Sequence, residues 1–216
     1  GKPAVGIAVA SSEAATDVVM RAMRSGADEF VKLPPDINDL SEAVRRILSR
    51  KGQKVFTGEG QIVTVFSGKG GVGSTMIATN LAIGLAGELT GETVALVDLN
   101  LQLGDITTFM DLRPRFTIHD AVKEFERLDP GLLKSFLTQH RSGAFVLSCP
   151  NEPAEAEGIT GEHIGAILKM LRGMFRFVIV DTAHTFSDQS LGALDNADTI
   201  LLVGDMLVPS IRNMQR

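Results

Sequence analysis

The sequence predicts an α/β fold built on a mostly parallel, doubly wound sheet, and two observations carry this prediction. Short apolar runs rich in β-branched residues alternate with longer segments whose apolar residues recur at helical spacing, which is typical of strand–helix–strand units. Of the 216 residues, 44% are hydrophobic and 22% are charged, a balance that can bury a core. We therefore expect a sheet that is covered by helices on both faces.

The first fifty residues predict a small α/β unit of their own. Val5–Ala10 and Glu29–Leu33 have strand composition, and a helical stripe between them ends at Gly26. A second stripe, over residues 37–48, follows a double proline, and a polar, glycine-containing stretch comes after it. We therefore divide the chain into a unit at residues 1–50, a linker at 51–61 and a larger domain at 62–216 that is incomplete at its carboxyl end.

In the larger domain, five apolar runs predict strands, and helical patterns lie between them. The strands are expected at residues 62–67, 93–98, 144–148, 176–181 and 199–203. The helices are expected through about residue 87, around residues 118–125 and 132–139, and over residues 161–173 and 191–197.

Charge and composition exclude several function classes. The formal net charge of −5 argues against a chain whose main work is nucleic-acid binding, and we expect no nucleic-acid partner. The single cysteine, Cys149, excludes an internal disulfide and fits a reducing compartment, so we expect a cytoplasmic location. No apolar run reaches the roughly 18 residues of a membrane span. Because the chain starts at Gly1 and stops within an element, we expect it to be a piece of a longer protein.

A glycine-rich turn joins the first strand of the larger domain to the following helix. Four glycines fall within six positions, so the backbone can approach an anion, and the first N–H groups of the helix point at it. We expect this turn to bind a nucleotide through Gly68, Lys69, Gly70, Gly71, Val72, Gly73, Ser74, Thr75 and Met76.

Two nucleotide-binding patterns fit this turn. The first, Gly68-x-Gly70-x-x-Gly73, is a dinucleotide fingerprint, and Asp98 closes the next strand, where a ribose-binding acid would lie. The second is a phosphate loop that ends in Ser74-Thr75, with serine where the catalytic lysine belongs. An NAD-dependent oxidoreductase is therefore one interpretation, and an ATP-binding protein is the other.

The strand ends favour the phosphate loop. In that interpretation Thr75 offers its hydroxyl to Mg²⁺, and the β-branched strand before Asp181 delivers a second acid to the metal. A dinucleotide-binding enzyme would not need Asp181, the second aspartate at a strand end. We assign Thr75, Asp98 and Asp181 to the metal site and keep the oxidoreductase as the alternative of another class.

Several separated motifs resemble the MinD/ParA ATPases, which have a deviant Walker loop. Lys69-Gly-Gly-Val-Gly-Ser-Thr, followed by Asn80-Leu81-Ala82, resembles that loop, whose signature lysine lies early and reaches the nucleotide of a partner subunit. The resemblance covers residues 61–216 and implies a P-loop NTPase fold, ATP or ADP with Mg²⁺, and a homodimer across the nucleotide site. Residues 98–105 look like the segment after the second strand of that family. The CpaE/TadZ branch of tight-adherence pilus assembly proteins is the closest, by residues 181–188, 194–195, the strand to Val203 and residues 209–213.

Two departures from that family bear on catalysis. Its second loop lysine falls on Ser74, and the aspartate that positions the attacking water falls on Asn100, which cannot accept a proton. Because phosphoryl transfer depends on positioning and electrostatics, both changes should slow hydrolysis. With Lys69 as the remaining catalytic lysine and Asn100 as a degenerate catalytic position, we predict nucleotide binding with weak or absent turnover. An active MinD/ParA-type ATPase is the first alternative.

Residues 1–50 resemble the second half of a two-component receiver domain. Ser11 falls at the hydroxyl position of a receiver, whereas Leu33 stands where the phosphate-pairing lysine belongs. Lys32 lies one position early and would face the other side of the strand. The resemblance therefore implies a degenerate receiver that serves docking or dimerisation, as is expected ahead of the ATPase-like domain of CpaE/TadZ proteins.

Together, these resemblances imply a nucleotide-responsive dimer that places or nucleates pilus secretion machinery. Its expected partners are a second copy of the chain and proteins of that machinery. A position at a cell pole and a peripheral membrane association both stay open. Two residues near the predicted site have plain structural interpretations. We expect His184 to be a loop histidine and Cys149 to be a packed small residue.

Overall fold

A computed structural model describes residues 4–32, 39, 42, 43, 46, 59–89 and 94–204. Most of the predicted helical stripe at 37–48, most of the predicted linker at 51–61 and the segment from Pro209 onward lie outside the described residues. Within the described part, no helix is both long enough and apolar enough to cross a membrane.

The described strands form one sheet of eight, which confirms the mostly parallel α/β fold. The strand order is β2-β1-β8-β3-β7-β4-β6-β5, and all pairings are parallel except that of β5 with β6. The strands are β1 Ala4–Ser11, β2 Glu29–Lys32, β3 Gln61–Ser67, β4 Val94–Leu99, β5 Thr138–Gln139, β6 Phe145–Leu147, β7 Phe177–Thr182 and β8 Thr199–Val203. The described α-helices are α1 Thr16–Arg24, α2 Ser74–Glu88, α3 Ile106–Phe109, α4 Ile118–Lys123, α5 Pro130–Phe136, α6 Gly161–Met174 and α7 Asp188–Asn196.

Apolar clusters cover both faces of the sheet, as the doubly wound prediction requires. Successive residues of a strand point to opposite faces, so the neighbours Ile62 and Val63 of β3 enter different clusters. Leu81 of α2 packs in the cluster of Val63, and Leu168 of α6 packs in the cluster of Ile62. These two helices hold the central strands from both sides and thereby fix the positions of the strand ends.

β1 and β2 extend the same sheet beyond β8. Ala4–Ile7 pairs in parallel with Thr199–Leu202, and β2 pairs with the second half of β1. The Asp28 carboxylate supports this edge, because it accepts a hydrogen bond from the Ile7 N–H at 2.9 Å. The sequence predicted both strands but not their place beside β8. The division into residues 1–50, 51–61 and 62–216 stays a prediction.

The region after β4 differs in detail from the sequence prediction. The helix predicted over residues 132–139 ends at Phe136, because Leu137 takes extended backbone, and Thr138–Gln139 form the short strand β5. The four residues of α3 have no counterpart in the prediction, since a single helical turn is too short to show periodicity.

Candidate functional site

The glycine-rich loop, residues 68–73, connects β3 to α2 at the carboxyl end of β3. Gly71 and Gly73 have φ values of +77° and +91°, in the left-handed region that favours glycine. α2 begins directly after the loop, at Ser74, and has no acidic residue in its first turn. The first N–H groups of a helix have no acceptor within the helix and attract anions. Loop and helix start therefore form a cradle for a negatively charged group.

The residues predicted to contact a nucleotide stay together in this loop and in the first turn of α2. Gly70 and Gly71 are exposed, whereas Lys69, Ser74 and Thr75 are half-buried. Because the last two open α2, their backbone N–H groups belong to its anion-attracting end. Their assignment to a nucleotide stays a prediction.

Asp181 lies near the end of β7, and its side chain is 0% exposed. The Thr75 hydroxyl interacts with this carboxyl, but neither carboxylate oxygen has a partner at good hydrogen-bonding geometry among the described residues. Burial raises the pKa of Asp181 to about 6, the Thr75 hydroxyl opposes that shift, and the charge of Asp105 adds to it. A buried carboxylate without partners costs stability, so this one is available to a ligand that the chain does not supply.

Asp98 is the register partner of Asp181 on the neighbouring strand β4, and it is also fully buried. Its Oδ1 accepts a hydrogen bond from the Asn100 N–H at 3.1 Å, and its Oδ2 accepts one from the Ile106 N–H at 3.3 Å. Burial and then the charge of Asp181 raise the pKa of Asp98 to about 7, against the effect of these donors. The carboxylate thereby ties together the two ends of the loop that follows β4.

Gly104 and Cys149 complete the surroundings of Asp98. The Cys149 thiol lies beside the Asp98 carboxylate and interacts with it, and burial, with the charge of Asp98, raises the pKa of the thiol to about 12. A methyl group on Gly104 would overlap both the Asp98 carboxylate and the Cys149 sulfur. The cysteine thus contacts a buried carboxylate, which the sequence did not indicate.

The surroundings of Asp181 fit Mg²⁺ that is bound together with phosphates. Mg²⁺ takes hard oxygen ligands and commonly combines one or two protein groups with phosphate oxygens and water. Thr75 and the unpartnered Asp181 carboxylate would supply such oxygens beside the loop. Among the described residues, no group of three or more His, Cys, Asp or Glu side chains is placed to hold a metal ion, so ligand oxygens would complete the coordination. Asp98 already accepts hydrogen bonds on both oxygens and would support Asp181 from the next strand.

Asn100, the degenerate catalytic position, is half-buried at the start of the loop after β4. Its Nδ2 donates a hydrogen bond to the Leu103 carbonyl at 2.8 Å, and its N–H donates to Asp98. An ionised aspartate could not donate the side-chain bond. The amide therefore closes this turn in a way that an acid at the same position would not.

Two residues that the sequence did not assign to the site lie beside it. Asp105 is exposed before α3, close enough to Asp181 for its charge to raise the pKa of that carboxyl. His184 lies against the loop, since a methyl group on Gly70 would be 3.6 Å from its Cε1. Both residues follow the end of a predicted strand by a few positions, and this is the one feature of the sequence that could have indicated them.

Comparison with known families and proteins identifies relatives of this chain. The ParA family model, described as NUBPL iron-transfer P-loop NTPase, matches residues 59–200. The septum site-determining protein MinD of Helicobacter pylori is 27% identical over 155 residues, which cover 72% of this chain and 56% of that protein. The chain thus spans about half the length of the curated relatives it matches.

Solved structures agree on the fold. A ParA family ATPase from Chlorobium tepidum TLS superposes with a TM-score of 0.67 at 20% identity and covers 73% of this chain and 65% of that one. MinD from Pyrococcus horikoshii OT3, solved with Mg-ADP, superposes with a TM-score of 0.61 at 20% identity and covers 71% of this chain and 61% of that one.

Proposed function

The chain belongs to the ParA family of P-loop NTPases, and from that premise we propose that it binds ATP or ADP with Mg²⁺ in the loop between β3 and α2. One observation carries the proposal. The Asp181 carboxylate is fully buried, has no hydrogen-bond partner among the described residues, and lies beside Thr75 of the loop. Bringing a charge to this position is costly unless a cation joins it.

Each part of the site has a distinct task in this proposal. The backbone N–H groups of the loop and of the first turn of α2 donate to phosphate oxygens. Thr75 and Asp181 hold Mg²⁺, and Asp98 fixes the neighbouring loop by accepting from Asn100 and Ile106. Bound Mg²⁺ would neutralise part of the phosphate charge. Lys69 adds a positive charge to the loop.

We further propose that hydrolysis is weak. Ser74 provides no charge at the position of the second loop lysine, and the Asn100 amide can neither accept a proton nor leave its bond to Leu103 without opening the turn. Positioning and charge supply most of the rate enhancement in phosphoryl transfer, so the loss of both lowers turnover more than binding.

An active ATPase is the second candidate, and the family membership and the likeness to a ParA family ATPase favour it. Phosphate release by the wild-type protein and by the Thr75→Ala and Ser74→Lys variants separates the two candidates. Turnover in the wild-type protein that Thr75→Ala abolishes would establish the active enzyme. No turnover in the wild type, with a gain in Ser74→Lys, would support the weakly hydrolysing one.

Iron transfer, which appears in the description of the family model, is not part of this proposal. Iron–sulfur clusters are held by several cysteine thiolates. These 216 residues contain one cysteine, and its thiol lies beside a buried carboxylate.

For the biological role, we propose a dimerising localisation or assembly factor of a tight-adherence pilus system. The support is the resemblance of residues 181–188, 194–195 and 209–213 to the CpaE/TadZ branch, together with a receiver-like segment at residues 1–50. In this role the partners are a second copy across the nucleotide site and proteins of the secretion machinery, at a pole or at the membrane surface.

Titration calorimetry with ATP, ADP and NADH, each with and without Mg²⁺, tests the binding proposal. Intrinsic fluorescence is unsuitable, because the chain has no Trp and no Tyr. Binding of ATP or ADP that strengthens with Mg²⁺ supports the proposal, and binding of NADH alone refutes it.

Light scattering with and without ATP tests the dimer. Lys69→Ala should prevent ATP-dependent dimerisation, whereas Lys169→Ala, an exposed lysine in α6, should not. A wild-type protein that stays monomeric with saturating ATP would remove the dimer from the proposal.

A further inference from the structure

His184 lies over the glycine-rich loop, although it belongs to a different part of the chain. A methyl group on Gly70 would be 3.6 Å from Cε1 and 3.7 Å from Nδ1 of His184, which is van der Waals contact. Both residues are exposed. The imidazole therefore borders the cradle formed by the loop and by the start of α2, on the side that faces solvent.

The loop that carries His184 is anchored on both sides. Before it, the Thr182 hydroxyl donates a hydrogen bond to the Val65 carbonyl at 2.8 Å. After it, the ring of Phe186 packs on the ring of Phe66, with 5.0 Å between the centroids. Both anchors lie on β3, the strand that leads into the glycine-rich loop. The position of His184 relative to the loop is thus set by contacts within one rigid region.

The side chain is chemically suited to a phosphate. An imidazole has an N–H donor in its neutral form and two in its charged form. Within the described part of the chain, the His184 ring has no hydrogen-bond or ion-pair partner. The loop also lacks a charge at Ser74, where phosphate loops of the ordinary pattern carry a lysine.

We infer that His184 is a phosphate-binding residue whose ring N–H donates to the terminal phosphate of a nucleoside triphosphate in the loop between β3 and α2. This inference rests on the proposed nucleotide binding. It assigns to the loop after β7 a direct part in distinguishing triphosphate from diphosphate. If the His184 ring lay beside Gly70 for structural reasons alone, it would not distinguish triphosphate from diphosphate.

Calorimetry with a non-hydrolysable ATP analogue and with ADP, both with Mg²⁺, tests the inference in the wild-type, His184→Ala and His184→Gln proteins. A hydrogen bond to a charged group corresponds to about tenfold in affinity or more. His184→Ala should therefore weaken binding of the triphosphate analogue by about tenfold and binding of ADP by less than about twofold. His184→Gln, which keeps a donor, should recover part of the loss.

Thr185→Ala is the matched control, since Thr185 is the exposed neighbour in the same loop, and it should leave both affinities unchanged. Thermal unfolding of the nucleotide-free variants should match the wild type, because the ring is exposed. If the wild type binds neither nucleotide, the proposed function itself fails. If the wild type binds both and His184→Ala weakens them equally or not at all, the inference is wrong while the proposed function stands.

Discussion

The carboxyl ends of β4 and β7 lie side by side, and each carries a buried aspartate. The two aspartates differ in their hydrogen-bond partners. Asp98 and Asp181 are register partners, and both are fully buried. Asp98 accepts hydrogen bonds from two backbone N–H groups, and so fixes the loop after β4. Asp181 has no hydrogen-bond partner among the described residues. Asp98 therefore organises the loop that follows it, whereas the Asp181 carboxylate is available to a ligand.

The largest effect is expected from Asp181→Asn. The amide cannot contribute a charged oxygen, so Mg²⁺-dependent nucleotide binding should weaken by about 100-fold, the order expected when a charged group loses its partner. Calorimetry with ADP in excess Mg²⁺, repeated with EDTA, measures the change. Asp105→Asn is the matched control, because this exposed acid acts on the same site through its charge alone, and we expect less than about a fivefold effect. Equal losses in the two variants would contradict the assigned role of Asp181.

The second prediction concerns the loop that Asp98 organises. Gly104→Ala places a methyl group on the Asp98 carboxylate and the Cys149 sulfur, and Asp98 cannot move without losing its backbone donors. The free energy of unfolding should fall by about 2 kcal/mol, measured by urea titration.

Two further variants check the origin of that loss. Gly173→Ala has no atom within 4 Å of the added methyl group and lies in a helix, so it should raise stability by about 0.5 kcal/mol. Combining Gly104→Ala with Cys149→Ala should cost less than the sum of the two single losses, because one of the two overlapping atoms is gone. A double variant whose loss equals that sum would show that the added methyl group does not overlap the Cys149 sulfur.

The third prediction uses pH to compare the wild type with Asp181→Asn. The folded pKa of Asp181, about 6, lies above its ordinary value of 3.8, so the folded protein binds more protons than the unfolded one between these values. The contribution of this group to stability therefore falls as pH rises through that window. The nucleotide-free Asp181→Asn variant should be no more stable than the wild type near pH 4 but more stable by about 2 kcal/mol at pH 7. A difference that stays constant from pH 4 to pH 7 would mean that Asp181 is not perturbed by burial.

Local patterns predicted seven of the eight described strands and the glycine-rich loop, because strand and helix periodicity and the need for glycine at Gly71 and Gly73 are properties of short segments. Both aspartates were also predicted, since each lies at or near the end of an apolar run. Their difference was not predictable. It depends on the loop after β4, which folds back to bring the Ile106 N–H to Asp98, and on the segment after β6, which places the Cys149 thiol beside it.

Contacts between distant parts of the chain also explain why some features could not be predicted from the sequence. His184 lies near Gly70 because Phe186 packs on Phe66, and no spacing along the chain encodes that proximity. The place of β1 beside β8 likewise depends on pairing between residues almost 200 positions apart, which hydrophobic alternation does not specify.

The smallest effect is expected at the Cys149 thiol, which we expect to act as a third donor to Asp98. Cys149→Ser keeps a donor of similar size, so the free energy of unfolding should change by less than about 0.5 kcal/mol. Cys149→Ala removes the donor and should cost about 1 kcal/mol, since Asp98 keeps its two backbone bonds.

The folded wild type should also react slowly with iodoacetamide at pH 8, because the thiol, with a pKa near 12, is almost entirely protonated. Unfolding in urea should expose a thiol of ordinary reactivity. Rapid alkylation of the folded protein, or a loss in Cys149→Ser as large as in Cys149→Ala, would show that the thiol does not donate to Asp98. The carboxylate would then be held by its backbone partners alone, and the contrast with Asp181 would rest on two hydrogen bonds instead of three.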